Sequence, residues 1–400
     1  MVRLISIFAA ITFFMLPSAM NAQGTVDLGD INRTSATKII EVAVASSNSK
    51  VETLMKRAFS LHGGYSIASK SYPAFTFRIN PVDGLHVTLQ IESGRPAKVL
   101  YSQTVGGRDL KNATLKAIDL AIVKTSGSEG IFSKKMAFVS DRSGKTEIYV
   151  SDLLMASVKQ VTNDHTHCVR PNIAPNGRSV LYTSYYRNGF PDIYKIDLAS
   201  GQRTAFASFK GTNTGATYSP NGNRVAMILS GTGNAELYLS DTRGRNIQRM
   251  TRTKGLESDP SWSPNGAELI FTSDSAGKPQ LYRMRVSGGE MKRIPTNISG
   301  YCAEPDWNPK HSNQVAFTIA QAGQFEVALW DFKTRKSHVI TQGVGDALEP
   351  MWTADGRHLI YTERTSKYQR LVLLDTLTGK YGYLNDRAWG NASQASCSQY

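Results

Sequence analysis

One phrase, repeated, constrains this chain more than any other feature. It reads Pro260-Ser261-Trp262-Ser263-Pro264-Asn265-Gly266 and runs on into the apolar Leu269-Ile270-Phe271. It returns as Pro171-Asn172-Ile173-Ala174-Pro175-Asn176-Gly177, Ala216-Thr217-Tyr218-Ser219-Pro220-Asn221-Gly222, Pro305-Asp306-Trp307-Asn308-Pro309 and Pro350-Met351-Trp352-Thr353-Ala354-Asp355-Gly356. The fifth residue falls at 175, 220, 264, 309 and 354, so each step is 44 or 45 residues. A period of about 40–45 residues suits one four-stranded propeller blade, which buries its apolar faces only against its neighbours.

Within a unit, Asn-Gly or Asp-Gly between apolar runs predicts a type I′ hairpin, because both central residues of that turn need positive φ. The copy with Lys310-His311-Ser312-Asn313 is one residue longer and predicts a looser turn. A strand reaching Tyr182, Met227, Phe271, Phe317 or Tyr361 follows the turn, then a third such as Asp192–Asp197 or Glu236–Asp241. A short basic strand such as Met291-Lys292-Arg293-Ile294 completes the blade. The acid that closes the third strand (Asp152, Asp197, Asp241, Asp331, Asp375) recurs too regularly for a site and reads as a turn residue.

A sixth unit is split between the ends of the repeat. Lys134–Asp141 and Ile148–Asp152 match second and third strands, but no Pro-x-Trp phrase precedes them. Gln394–Tyr400 lies 45 residues after Glu349–Asp355 and is a degenerate copy of the missing inner strand. Six blades are therefore expected, closed by pairing the chain's last strand with blade one, which leaves no open end between blades.

Residues 131–400 make this propeller, residues 1–22 a signal peptide and residues 23–130 a small α/β domain with its linker. Arg3, the apolar run Leu4–Leu16 and the exit Pro17–Ala22 form the signal, with cleavage after Ala22 or after Gly24. No cysteine stands near that exit, so an exported, soluble product is expected rather than a lipoprotein. In the α/β domain, residues 38–45 read as a strand and Ser49-x-x-Glu52 as a capping box opening a helix. That helix carries Val51, Leu54, Met55, Ala58 and Phe59 on one face, with Gly63-Gly64 as its stop. Strands are expected at Phe75–Ile79, Leu85–Ile91 and Lys98–Val105, a second helix at Asp109–Lys124 and a linker at Thr125–Gly130.

The net charge of +14 admits an acidic partner, but no basic run interleaved with aromatics appears. A solvated basic surface, with no nucleic-acid partner, is the preferred reading. Cys168 and Cys302 fall in opposed blades and Cys397 takes the place of Trp262, so no disulfide is expected. There is no Gly-x-Ser-x-Gly elbow, P-loop or dinucleotide fingerprint, so no catalysis and no cofactor are expected. His165-Thr166-His167-Cys168 has metal-ligand residue types but reads as polar loop, and no metal is assigned. Glu257, Asp259, Glu304, Asp346 and Glu349 precede inner strands of three neighbouring blades. They either ring the channel mouth, where a cation would fit, or are solvated loop acids.

The exported α/β domain, the junction Gly130-Ile131-Phe132-Ser133-Lys134-Lys135-Met136-Ala137-Phe138-Val139-Ser140, the Pro-x-Trp-Ser-Pro-Asn-Gly blades and Phe271–Tyr282 together closely resemble the TolB family. That family is the periplasmic component of the Tol–Pal envelope system of Gram-negative bacteria. The resemblance implies a monomeric, non-enzymatic, non-membrane-spanning scaffold that binds the Pal lipoprotein through one propeller face. It thereby supports outer-membrane integrity and envelope constriction during division. The N-terminal tail, residues 23–34, corresponds in place to the segment that contacts the inner-membrane protein TolA. The family's partner face uses loops from the outer strand of one blade to the inner strand of the next. Here those loops carry His165, His167, Thr212, Asn213, Thr251, Glu257, Thr296, Glu304, Thr341 and Glu349. Thr296 and the Thr212-Asn213 pair match Pal-contacting loops by position. Two rival readings are an accessory propeller of a prolyl-oligopeptidase- or tricorn-like protease and a small-ligand-binding propeller. The latter would need aromatic residues clustered in the channel loops.

Overall fold

The structure, a computed structural model, describes residues 39–68, 72–187, 189–343 and 345–399. The signal segment and the tail at residues 23–34 lie outside the described residues. A small α/β domain leads into a six-bladed propeller. The first domain runs β1 (Ile40–Ala45), α1 (Ser49–Leu61), β2 (Tyr65–Ile67), β3 (Phe75–Pro81), β4 (His86–Ser93), β5 (Lys98–Gly106) and α2 (Leu110–Ser126). Its sheet order is β2-β1-β3-β4-β5, with β1 parallel to both neighbours and the rest antiparallel.

Local chemistry accounts for these boundaries, with two departures from expectation. Asn48, not Ser49, caps α1: its Oδ1 accepts from the backbone N–H groups of Lys50 at 3.0 Å and Val51 at 3.2 Å. Asn48 has the extended backbone a cap requires, whereas Ser49 is already helical. Val51, Met55, Ala58 and Phe59 of α1 are buried as the spacing predicts. Asp109 caps α2 by accepting from Asn112 N at 2.7 Å. That helix runs on through Thr125 and Ser126 to a left-handed cap at Gly127 (φ 71°). Thr125 is buried against the Tyr65 hydroxyl at 2.7 Å, so it belongs to the helix rather than to a linker.

The blades follow one another as four-stranded antiparallel sheets. Blade four, for example, runs Glu257–Trp262, Glu268–Ser273, Gln280–Arg285 and Lys292–Arg293. Blade one takes its inner strand from the end of the chain: Ala392–Cys397 pairs with Lys135–Ser140, and Cys397 faces Met136. Cys168 and Cys302 are buried in the inner strands of blades two and five, and Cys397 is half-buried; all three are free thiols.

The blade hairpins differ from the expected type I′ turn. Gly266 N donates to Ser263 O at 2.8 Å and Ser263 N to Glu268 O at 2.9 Å, and only Gly266 has positive φ (67°). This is a type I turn with a left-handed glycine after it. Pro264 occupies its second position, where the proline ring's fixed φ is already correct. Asn265 contributes through its side chain, accepting from Ala267 N at 3.0 Å. The third-strand acids act as turn residues: Asp197 Oδ1 accepts from Ala199 N and Ser200 N, and Asp331 Oδ1 from Lys333 N and Thr334 N.

Neighbouring blades are also joined by a repeated polar bond near the axis. Ser396 Oγ accepts from Ile173 N (3.0 Å), Asn172 Oδ1 from Tyr218 N (2.9 Å), Ser261 Oγ from Trp307 N (2.9 Å) and Asp306 Oδ2 from Trp352 N (2.7 Å). These acceptors stand one residue after the proline position of the repeated phrase. Its second residue therefore stitches one blade to the next.

The first domain sits on the hairpin face, over blades one and six. One apolar core runs through Met55, Phe59 and Ile118 into Phe132, Phe138 and Leu371. Arg57 donates to Leu384 O at 2.5 Å, Lys380 to Tyr65 O at 3.2 Å and Lys111 to Ala156 O at 2.7 Å. Gly63 and Gly64 are needed here for closeness rather than as a helix stop: neither has positive φ. A Cβ on Gly63 would fall inside the side chain of buried Asp375 and against Thr378.

Two outcomes follow. Gly63→Ala is expected to lower stability by about 1–3 kcal/mol through overpacking, while Gly84→Ala, with nothing within 4 Å of its Cβ, stays close to neutral in the same denaturant titration. Deleting residues 393–400 exposes the edge of blade one and is expected to abolish a single cooperative melt or cause aggregation. A truncated chain melting like the intact one would refute the closure.

Candidate functional site

Every inner strand carries a bulge, and the bulge aims one residue at the axis. The six equivalent residues are Arg170, Gly215, Asp259, Glu304, Glu349 and Gln394, with φ between 50° and 62°. Ladder registers slip at each of these positions. A bulge leaves an extra residue out of the ladder and re-aims its side chain, here into the channel. The result is a ring of one cation, three acids, an amide and a glycine around a cavity of about 160 Å³.

The ring is internally matched. Arg170 forms an ion pair with Asp259, which raises the basicity of the guanidinium further. Glu349 accepts from Thr362 Oγ1 at 2.9 Å and from Gln394 Nε2 at 2.8 Å. Glu304 accepts from Thr318 Oγ1 at 2.7 Å and Glu349 N at 2.9 Å. Burial, then the charges of Glu349 and Asp259, push its carboxyl up to about 7. The cation these acids face is Arg170.

Of the five acids that either ring the channel mouth or serve as loop acids, two stand away from the channel. Asp346 pairs with Arg364 at 3.0 Å on the blade edge. Glu257 is buried inside blade four, accepting from Thr253 Oγ1 and Ser273 Oγ at 2.9 Å each. The histidine–cysteine loop also disperses. His165 and His167 are exposed, while the Cys168 thiol points inward between Glu147 and Asp164, and burial pushes it far up. Among the described residues, the donor group drawn together is instead His62, His358 and Asp375, at the domain seam.

The loops between outer and inner strands lie on the face opposite the first domain, but not all of their residues are offered there. Thr251 Oγ1 accepts from Leu237 N at 2.9 Å and Thr341 Oγ1 from Val327 N at 2.8 Å. Thr296 is buried with its hydroxyl on Cys302 Sγ at 3.4 Å. Asn213 is buried and bonded to Asp192 Oδ1 and Phe209 O. These four, with Glu257, hold the blades together and present no side chain to the face. The sequence carried a signal for this: Thr162, Thr251, Thr341 and Asn385 each cap an N–H 14 residues earlier. Such recurrence marks blade structure, as it does for the third-strand acids.

His165, His167 and half-buried Thr212 do reach this face, and beside them stand aromatic side chains that sequence reasoning passed over. Tyr185 meets the His167 ring at 6.3 Å, and the Arg203 guanidinium lies 3.9 Å from the centre of Tyr186. Phe190 is 67% and Phe209 48% exposed. The pattern Tyr185-Tyr186-Arg187 ahead of Gly189-Phe190, between two apolar strands of one blade, was the available cue.

The channel yields a pH prediction. Glu304 is held above its ordinary value of 4.5, so the folded chain binds more protons than the unfolded chain between about 4.5 and 7. Its contribution is full below 4.5 and is lost as pH rises through 7. Glu304→Gln is therefore expected to gain stability relative to the wild type between pH 5 and pH 8. The ceiling is about 3 kcal/mol, read from urea unfolding at both pH values.

Comparison with known proteins follows the same lines. Over 172 residues the chain is 27% identical to the Protein TolB homolog of Chlorobaculum tepidum, covering 40% of this chain and 39% of that one. Over 128 residues it is 32% identical to the Tol-Pal system protein TolB of Desulfosudis oleivorans, covering 32% of this chain and 29% of that one. These alignments span less than half of either relative. The crystal structure of TolB from Acinetobacter baumannii superposes with a TM-score of 0.80 at 21% identity, over 90% of this chain and 97% of that one, a likeness of fold. Residues 123–400 match the family described as the TolB beta propeller domain, and with well over half of its length matched the chain belongs to that family.

Proposed function

We propose that this chain is a periplasmic, non-enzymatic scaffold of a Tol–Pal system that docks a Pal-like peptidoglycan-associated lipoprotein on the propeller face opposite its first domain. In this reading it supports outer-membrane integrity and envelope constriction during division. A TolA-like inner-membrane protein would engage residues 23–34, which lie outside the described residues. Membership of the family supports the reading, as does the name of the Tol-Pal system protein TolB of Desulfosudis oleivorans. No described helix is long and apolar enough to cross a membrane.

The observation that carries the proposal is the division of the propeller's two faces. The first domain covers the hairpin face, through Gly63, Arg57 and Lys111. The opposite face is left with a polar depression over Arg170, Glu304 and Glu349, and the loops of blade two expose Tyr186, Phe190 and Phe209. Exposed aromatics beside an arginine are the side chains that anchor protein interfaces. Rigid blades lose little ordering entropy when a partner docks on them. None of these aromatics lines the channel cavity, which favours a protein over a small ligand.

The test uses residues exposed enough to spare the fold. Phe190→Ala and Thr212→Arg are each expected to weaken binding of a Pal-like lipoprotein at least tenfold, about 1.4 kcal/mol, with an unchanged melting temperature. Ala267→Arg, on the hairpin face, should leave binding alone. The opposite pattern would move the partner to the hairpin face. Capture of a protease rather than a lipoprotein from envelope extract would replace the reading altogether.

A further inference from the structure

The domain seam buries a cluster of titratable and charged side chains away from the partner face. His62, at the end of α1, faces His358 from the second strand of blade six, with ring centres 4.5 Å apart and planes at 76°. Both residues are fully buried, and the Nε2 atoms of both are without a hydrogen-bond partner. Around them stand Asp355 and Arg357 from the blade-six hairpin and Asp375 from the end of its third strand. Lys380 lies just before the outer strand, and Tyr65 and Phe132 complete the surroundings. His358 Nδ1 lies 2.6 Å from Asp355 Oδ2, and Arg357 bonds Asp375 Oδ2 through Nε at 3.0 Å and Nη2 at 2.6 Å.

Charge counting decides what this group does. Two carboxylates, Asp355 and Asp375, meet the Arg357 guanidinium and the Lys380 ammonium, so the balance closes with His62 neutral. A proton added to His62 places an uncompensated charge in a dry site, which is costly. The donor set does not suit a dication. Asp375 Oδ2 already takes two bonds from Arg357, and a dication would leave a larger excess of positive charge than a proton. The Gly64 N–H also donates to His62 Nδ1 at 3.1 Å. That bond fixes the tautomer with its proton on Nε2, so His62 has no lone pair to offer there.

We propose that the seam between the first domain and the propeller is a proton-sensitive latch, closed while His62 is neutral and loosened when His62 is protonated against His358 and Arg357. Burial, then the proximity of His358, hold His62 well below its ordinary 6.5. The closed seam therefore binds fewer protons than the open one. Its stability is full above about pH 6.5 and falls as pH drops below that value. Asp355 and Asp375 are both held below the usual carboxylate range and stay ionised through this window. Asp119 accepts from Phe132 N and Ser133 N and is raised to about 6 by burial, so it titrates with the opposite sign. A histidine of ordinary pKa in the open state makes opening about tenfold more favourable at pH 5.5 than at pH 7.5.

The test is amide hydrogen exchange on the full chain, corrected for intrinsic rates. The amides followed are Ile40, which bonds Gly64 O at 2.9 Å, and Tyr65, which bonds His62 O at 3.0 Å. Between pH 7.5 and 5.5 they should lose about tenfold protection relative to blade-four amides, and His62→Gln should remove that dependence. Unchanged protection in the wild type, or an equal loss in His62→Gln, overturns the latch. If His62→Gln does not fold, the wild-type His62 ring resonance decides. Titration below pH 6.5 in step with seam exchange supports the latch; titration without exchange refutes it. Stoichiometric zinc binding that increases seam protection would make the group a metal site and overturn the proposal.

Discussion

The amides freed by the bulge in each inner strand are the constraint on which the propeller depends. Arg170, Glu304, Glu349 and Gln394 leave the ladder of their own blades, so their N–H groups must find other acceptors. Glu304 N finds Thr272 Oγ1 at 3.1 Å, Gln394 N finds Thr362 Oγ1 at 3.1 Å and Arg170 N finds Gln394 Oε1 at 2.7 Å, each on the preceding blade. A buried amide left unpaired costs about 1–3 kcal/mol. No blade is therefore complete without its neighbour. Because Ser396 and Gln394 supply acceptors to blade two, the last strand of the chain serves two blades at once.

The same geometry assigns the two faces different work. Strand directions put the hairpins and the third-strand turns on one side, where Gly63 lets α1 descend onto Asp375 and one apolar core spans both domains. A core shared in this way makes the two domains one mechanical unit, and its charged edge at His62 and His358 is where that unit is most exposed to pH. The other face keeps short loops, the ring of Arg170 with its acids, and the exposed aromatics of blade two. Burial there does not imply inertness in partner recognition, since Glu304 and Glu349 remain half-buried and reachable from the cavity.

Much of this was readable in the chain as written. The step of 44 or 45 residues fixed the blade count, and the faint copy at Gln394–Tyr400 fixed the closure. Both depend on short-range periodicity and on turn residues with restricted φ, which act locally and leave a trace in sequence. Where local rules competed, reading was less secure. Asn48 and Ser49 are both good caps, and Asn-Gly after proline serves a type I turn with a left-handed glycine as readily as type I′.

The sequence by itself determined the repeat, the six blades and the closing strand. Only the tertiary structure decided which loop residues are offered to a partner. The hydroxyl of Thr251 or Thr341 looks identical in sequence whether it meets solvent or a backbone N–H across the blade. Only the fold, likewise, brought His62 to His358 and Arg170 to Asp259. Those pairs join distant segments, and no propensity or spacing encodes a contact whose energy exists only once both surfaces are buried.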